Sequence, residues 1–239
     1  MKPYYTEEYV TIYHGDCRDI LTQLLSNSVD LVITSPPFNQ AWNKKHHTGS
    51  KWEKYYEDDL PEEIYQQQQA DILNLLWTNT KDTGSLWYHH KNRIRFGLSI
   101  TPYQWLLKTH WLVKQEIVWF NRSSNFDKRR FYPMTERLYW LAKSVDTRLD
   151  NVISKHDDWH IEAEGANGTF KRAFPEELVN NILRCFPTAE IILDPFLGSG
   201  TTAYCAKKLN RKCIGIEKEE RYCEIAANRC RQMVMELKI

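Results

Sequence analysis

The sequence predicts an α/β protein built on a mostly parallel, doubly wound sheet, and three features carry that prediction. Val29 to Thr34 (VDLVIT) is a nearly continuous apolar run, as expected of a strand covered on both faces. Glu190 to Leu237 reads as a compact strand, helix, strand, helix block. Strand and helix patterns are interleaved along the rest of the chain, which favours parallel crossover connections. At 239 residues the chain suits one well-buried domain with insertions better than two independent cores.

Taken in order, Val10 to Tyr13 is a short β-branched and aromatic strand, and His14-Gly15-Asp16 is the turn that leaves it. Asp19 to Leu25 reads as a short helix with Leu21, Leu24 and Leu25 on one face. The Val29 to Thr34 strand stops at Ser35-Pro36-Pro37, because consecutive prolines continue neither a ladder nor a helix. Asn39 to Leu60 is polar, charged and aromatic without a period, the mark of a long functional loop. Pro61 to Thr78 is a helix opened by proline, Gly84 to His89 a strand, Pro102 to Thr109 a helix. Glu116 to Phe120 and Arg137 to Ala142 are strands, separated by the basic loop Arg122 to Tyr132. Lys143 to Thr169 is expected to be a small irregular insertion. Pro175 to Phe186 is a helix with Glu176 and Glu177 in its first turn, where the helix dipole favours negative charge. The closing block is Glu190 to Leu193 (strand), Ser199 to Leu209 (helix), Lys212 to Ile216 (strand) and Glu219 to Leu237 (helix).

Composition excludes several classes. The net charge of +1, from 32 basic and 31 acidic residues, leaves no global electrostatic footprint, so any nucleic-acid surface must be local. Six cysteines without a C-x-x-C pair suggest neither a zinc site nor a disulfide frame but buried thiols in a reducing compartment. The histidines, including His46-His47 and His89-His90, have no carboxylate at ligand spacing, so no metal is expected. The N-terminus lacks a signal-peptide core and no stretch has the length of a membrane span, so a cytoplasmic protein is expected.

Two turns at strand ends carry chemistry. Asp194-Pro195-Phe196-Leu197-Gly198-Ser199-Gly200-Thr201-Thr202 joins a strand to a helix, and glycines there let a ligand approach the backbone N–H groups of the helix start. Glu217 ends the following strand, where a carboxylate can accept both hydroxyls of a ribose. The pair points to a nucleoside-containing cofactor. Gly-Ser-Gly-Thr-Thr-Ala also fits a dinucleotide fingerprint, so a nicotinamide-dependent oxidoreductase is a rival reading; it leaves the second turn unexplained. That turn is Ser35-Pro36-Pro37-Phe38. A base amino group is a poor nucleophile because its lone pair is delocalised, and acceptors around its N–H bonds can favour the geometry that exposes the lone pair. The Ser35 hydroxyl and the Pro36 carbonyl are such acceptors on a rigid turn, and Phe38 offers a stacking face for a base taken out of a duplex.

In this order the two turns resemble the permuted β class of DNA amino-methyltransferases, and the similarity covers nearly the whole chain. The resemblance implies a Rossmann-like, circularly permuted class I fold dependent on S-adenosylmethionine, with inserted DNA-contacting loops and S-adenosylhomocysteine as product. It implies a single catalytic domain over 1–239, with a catalytic half at 1–142, a short insertion at about 143–169 in the place of target recognition, and a cofactor half at 170–239. Catalysis falls to Ser35, Pro36, Pro37 and Phe38. Cofactor contacts fall to Asp16 and Cys17 at the adenine and to Phe174, within Ala173-Phe174-Pro175, at the methionine moiety. Thr34, Asp194, Pro195, Phe196, Gly198, Ser199, Gly200, Thr201, Thr202, Glu217 and Lys218 complete the set. Lys171-Arg172 departs from the family's usual His-Pro. Ser-Pro-Pro at the catalytic turn points to cytosine N4, with adenine N6 the alternative. The chain has no Pro-Cys pair, so the covalent carbon-5 route has no nucleophile.

DNA is the expected partner. Lys44, Lys45, Arg122, Lys128, Arg129 and Arg130 are candidates for phosphate contacts, and Trp42 and Trp52 for stacking or wedging. Lys51, Lys54 and Phe131 belong to the same two stretches, and Asp157, Asp158, Trp159 and His160 stand in the insertion. A companion restriction endonuclease is a candidate partner, no membrane is expected, and monomer and homodimer both stay open.

Overall fold

The computed structural model describes residues 1–40, 58–121, 131, 134–162 and 174–236. The strands are β1 (Tyr5–Thr6), β2 (Val10–His14), β3 (Val29–Thr34), β4 (Thr80–His90), β5 (Arg93–Arg95), β6 (Leu98–Ile100), β7 (Leu112–Phe120), β8 (Thr135–Ala142), β9 (Asp158–His160), β10 (Ile191–Asp194) and β11 (Lys212–Glu217). The helices are α1 (Cys17–Leu21), α2 (Glu62–Asn79), α3 (Tyr103–Leu106), α4 (Glu176–Cys185), α5 (Thr201–Lys208) and α6 (Glu220–Glu236).

Nine strands make one sheet in the order β1-β2-β11-β10-β3-β4-β8-β7-β9, and β5 with β6 forms a separate hairpin. The run β2-β11-β10-β3-β4 is parallel throughout. β8 is antiparallel to both β4 and β7, and β1 to β2. β10 and β11, late in the chain, are thus inserted between β2 and β3, which come early. That is the geometry of a permuted doubly wound sheet, and it brings the carboxyl ends of β2, β11, β10, β3 and β4 to one rim, where open α/β sheets hold ligands.

Both faces are covered, as the VDLVIT run requires. Leu31 and Ile33 face a layer made by α4, α5 and α6 through Leu178, Val179, Ile182, Ala203, Cys205, Cys223 and Ala226. Val32 faces the opposite layer, made by α1, α2 and α3 through Leu21, Tyr65, Leu73, Leu76 and Trp105. All six cysteines are buried and unbridged.

Two expectations change. The first helix spans Cys17–Leu21 rather than Asp19 to Leu25, because Asp16 caps it by accepting from the Arg18 backbone N–H at 3.0 Å; Leu25 lies beyond it, 79% exposed. The insertion at 143–169 is not wholly irregular. Its segment β9 extends the sheet by pairing parallel to β7, with Trp119 opposite Trp159. Trp159 is buried and stacks on Trp87 at 5.7 Å, and Trp87 stacks in turn on Trp140 at 6.4 Å. A three-residue strand is too short for a period-2 pattern to show, and Trp159 is a core residue rather than a base reader. Replacing Trp159 with alanine should therefore lower the unfolding free energy by about 3–5 kcal/mol in urea titrations; a change below about 1 kcal/mol would place this segment outside the core.

Candidate active site

The turn after β10 builds one half of the site. Gly198 (φ 53°) and Gly200 (φ 84°) adopt left-handed backbone. A Cβ on Gly200 would lie 2.7 Å from the Ala226 side chain, so glycine is what lets α6 pack beneath the turn. Over Gly198 the opposite holds: an added Cβ would meet nothing closer than 4.0 Å, so this side of the turn is an open cradle. Below the cradle, the Asp194 carboxylate is buried. One oxygen accepts from the Phe196 backbone N–H at 3.0 Å and from the Thr34 hydroxyl at 3.2 Å, the other from the Thr202 hydroxyl at 2.7 Å. Burial outweighs these bonds and pushes its carboxyl up to about 6.

Glu217, at the end of β11, is also buried. It accepts from the Gly198 N–H through Oε2 and from the Glu219 N–H through Oε1, both at 2.8 Å. A carboxylate oxygen has capacity for a second bond, so this brace is compatible with holding ribose hydroxyls. Asp16, at the end of β2, is gripped by the Arg18 guanidinium at 2.9 and 2.7 Å, and those hydrogen bonds hold its carboxyl below the usual range. β2, β11 and β10 are adjacent, so Asp16 and Glu217 stand at neighbouring strand ends, with Asp194 buried beneath the turn beside them.

The other predicted cofactor residues divide into two groups. Cys17, Pro195 and Ser199 are buried, and Phe196 is half-buried beside the cradle. Thr201 and Thr202 turn their hydroxyls inward, Thr201 accepting from Arg229 at 2.9 Å and Thr202 donating to Asp194. Lys218 is exposed, and its carbonyl lies 3.0 Å from His14 Nε2.

The turn after β3 builds the second half. The Ser35 hydroxyl lies 2.8 Å from His89 Nδ1, and His89 Nε2 lies 2.7 Å from the Glu136 carboxylate on β8. The Tyr65 hydroxyl, from α2, donates to the Pro37 carbonyl at 2.7 Å and accepts from His90 Nε2 at 2.7 Å. Burial pushes the His90 imidazole well below its ordinary range, so it acts as a neutral donor. Phe38 rests edge-on against His89 at 5.2 Å and tilted on His90 at 4.6 Å. Phe174 reaches the same place from the other half of the chain, with its ring 4.9 Å from His89. The two histidines at the end of β4 thus clamp the whole Ser35-Pro36-Pro37-Phe38 turn. From the sequence His89-His90 carries no assigned role, a metal site having been set aside, and neither Tyr65 nor Glu136 is singled out. The available signal was position, since both histidines end a strand beside the β3 turn.

Asn39 continues the turn in left-handed backbone (φ 54°), and its amide brackets Leu60, donating to the carbonyl at 3.0 Å and accepting from the N–H at 2.7 Å. Buried Arg93 holds Glu62 through two bonds of 2.7 and 2.9 Å. Asn39 and Leu60 are therefore held together beside the Ser35-Pro36-Pro37-Phe38 turn. Trp42, Lys44, Lys45, Lys51, Trp52, Lys54, Arg122, Lys128, Arg129 and Arg130 lie outside the described residues, as do Lys171, Arg172 and Ala173. β7 runs in the same direction as β3, so its end at Phe120 lies on the same rim.

A DNA methylase family model covering N6 and N4 enzymes matches residues 29–228. The chain belongs to this family. The family uses S-adenosylmethionine. Among curated relatives, the methylase is 27% identical to the type II methyltransferase M.ScaI of Streptomyces caespitosus over 95% of this chain and 83% of that protein. It is 28% identical to the type II methyltransferase M.HinfI of Haemophilus influenzae over 93% of this chain and 68% of that protein. Among solved structures, PvuII DNA methyltransferase, described as cytosine-N4-specific, superposes with a TM-score of 0.78 at 22% identity, covering 95% of this chain and 88% of that one. M1.HpyAVI in complex with S-adenosylmethionine superposes with a TM-score of 0.63 at 23% identity, covering 92% and 98%. Among the described residues, no helix of the methylase is long and apolar enough to cross a membrane.

The buried Asp194 carboxyl titrates higher in the folded than in the unfolded chain, so its contribution to stability is greatest at low pH and is lost as pH rises through about 6. Relative to Asp194→Asn, which has no such titration, the wild-type methylase should lose up to about 3 kcal/mol of stability between pH 4 and pH 7 in urea titrations. A difference that grows with pH would contradict this account of the turn.

Proposed function

We propose that this methylase transfers a methyl group to the exocyclic N4 of cytosine in DNA. The observation that carries the reading is the residue at the head of the clamped turn: Ser35 presents a hydroxyl, where a carboxylate or carboxamide would suit adenine N6 in this class. The likeness to the cytosine-N4-specific PvuII enzyme supports the same choice.

S-adenosylmethionine, when bound, supplies an electrophilic methyl group on its sulfonium sulfur. The open cradle over Gly198 and the carboxylates of Asp16 and Glu217 fit its nucleoside and its positive charge, so Asp16, Phe196, Gly198 and Glu217 are the residues that would hold it, with Phe174 toward the methionine end. Ser35 Oγ and the Pro36 carbonyl accept from the two N–H bonds of the base amino group, which turns the nitrogen lone pair out of ring conjugation and toward the donor. Phe38, immobilised by His89 and His90, offers its ring to the base, and this stacking offsets part of the few kcal/mol spent in extruding it from the duplex. The basic and aromatic residues at 42–54 and 122–130 are assigned to the DNA backbone and to the gap left by the base. Because M.ScaI and M.HinfI are type II methyltransferases, a companion endonuclease that cleaves the unmodified site is the natural partner, and the bacterial cytoplasm the natural location.

Nucleoside mass spectrometry of DNA from cells expressing this one gene tests the proposal. N4-methylcytosine should appear, and Ser35→Ala or Phe38→Ala should reduce it at least about 10²-fold. N6-methyladenine in its place would move the assignment to adenine, and unmodified DNA of diverse sequence would overturn it.

A further inference from the structure

The Ser35–His89–Glu136 chain is more than a structural clamp. We propose that it is a proton-relay and positioning device for amino methylation, in which Glu136 fixes the tautomer of His89 and His89 fixes the direction of the Ser35 hydroxyl. The proposal rests on transfer to a base amino group and is indifferent to whether that base is cytosine or adenine.

Donor and acceptor capacity carries the argument. An ionised carboxylate only accepts, so the 2.7 Å contact to Glu136 places a hydrogen on His89 Nε2. In the neutral imidazole Nδ1 is then the acceptor, and across the 2.8 Å contact Ser35 must donate its hydroxyl hydrogen to it. With that hydrogen directed inward, the lone pairs of Ser35 Oγ point into the site, where they can accept from the amino group. The reverse arrangement, with a hydrogen on Nδ1, would turn the hydroxyl hydrogen outward to engage the nitrogen lone pair that must attack. The tautomer thus decides whether Ser35 assists or blocks the nucleophile.

The same chain gives the displaced proton a path. As the amino nitrogen forms its bond to carbon, one of its N–H bonds breaks and the proton passes to Ser35 Oγ. The Ser35 hydroxyl proton moves to His89 Nδ1, leaving a neutral serine and an imidazolium whose Nε2–H remains on the Glu136 carboxylate. When the methylated base departs, the proton returns from His89 Nδ1 to Ser35 Oγ as the Ser35 hydroxyl proton passes to water entering the vacated pocket, and the imidazole is neutral again. The surroundings fit this role: His89 is only 4% exposed and is walled by Phe38, Trp119 and Phe174 at 5.2, 5.3 and 4.9 Å, which restricts ring rotation and excludes water. Glu136 holds the position a triad carboxylate holds toward its histidine, orienting the ring and stabilising its charged form.

Two readouts test it on the intact protein. In ¹⁵N NMR of the free wild-type methylase near neutral pH, His89 should carry its proton on Nε2 and show an unprotonated Nδ1. Glu136→Gln, whose amide can donate to Nε2, should shift the ring toward Nδ1–H. The same variant should lower kcat about 10²-fold while calorimetric affinity for S-adenosylmethionine and KM for DNA stay within about threefold. His89→Asn, which keeps an acceptor near Ser35 but no link to Glu136, should retain more activity than His89→Leu. A protonated Nδ1 in the wild type, or a Glu136→Gln enzyme with wild-type kcat, overturns the relay; if Glu136→Gln does not fold, the wild-type tautomer and the Asn-against-Leu comparison decide. A wild-type protein that methylates no DNA fails the broader reading instead, and the NMR result separates the two.

Discussion

The buried carboxylate of Asp194 is the junction on which the site depends. It collects the backbone of its own glycine turn, the hydroxyl of Thr202 at the start of α5, and the hydroxyl of Thr34 at the end of β3. The last of these ties the glycine turn after β10 to the Ser-Pro-Pro turn after β3, across 160 residues of sequence. Burying an ionisable group costs free energy, and the upward shift of its carboxyl records that cost. The return is geometric. The glycine turn and the Ser35 turn are fixed on adjacent, directly paired strands, β10 and β3.

A second constraint acts at right angles to the first. β4 follows β3 in the sheet and ends in His89 and His90, which reach back to Ser35, Phe38 and, through Tyr65, the Pro37 carbonyl. β8 comes next and supplies Glu136 behind His89. From β2 to β8, the successive strand ends carry in turn Asp16, Glu217, the glycine turn, the Ser35 turn, the paired histidines and Glu136. Circular permutation leaves this spatial series intact because only the order of strands along the rim matters, not their order in the chain.

Local patterns were legible in the sequence, and contacts dependent on strand order were not. VDLVIT announced a doubly covered strand, and the Ser-Pro-Pro turn and glycine turn were visible because each is a contiguous segment whose backbone demands show in its residue types. Glu217 was legible from its place after a strand. His89, Tyr65 and Glu136 were not assigned to the site, since His89 meets its partners 54 residues upstream and 47 downstream and no local spacing encodes that. The core position of Trp159 was not legible for a related reason: only the pairing of a three-residue strand with β7 places it on Trp87. The β5–β6 hairpin also escaped notice, because its turn uses Phe96 at φ 52°, a residue seldom found in left-handed backbone, ahead of Gly97.

At the Ser35 turn a base is proposed to leave the duplex and present its amino group. The most direct measurement is a crystal structure of the methylase with a non-reactive S-adenosylmethionine analogue and a duplex carrying its methylation site. The expected result is an extruded base stacked on Phe38, with its exocyclic nitrogen in hydrogen-bonding distance of Ser35 Oγ and the Pro36 carbonyl. A target base still stacked in the duplex, or one whose amino group faces away from Ser35, would contradict it.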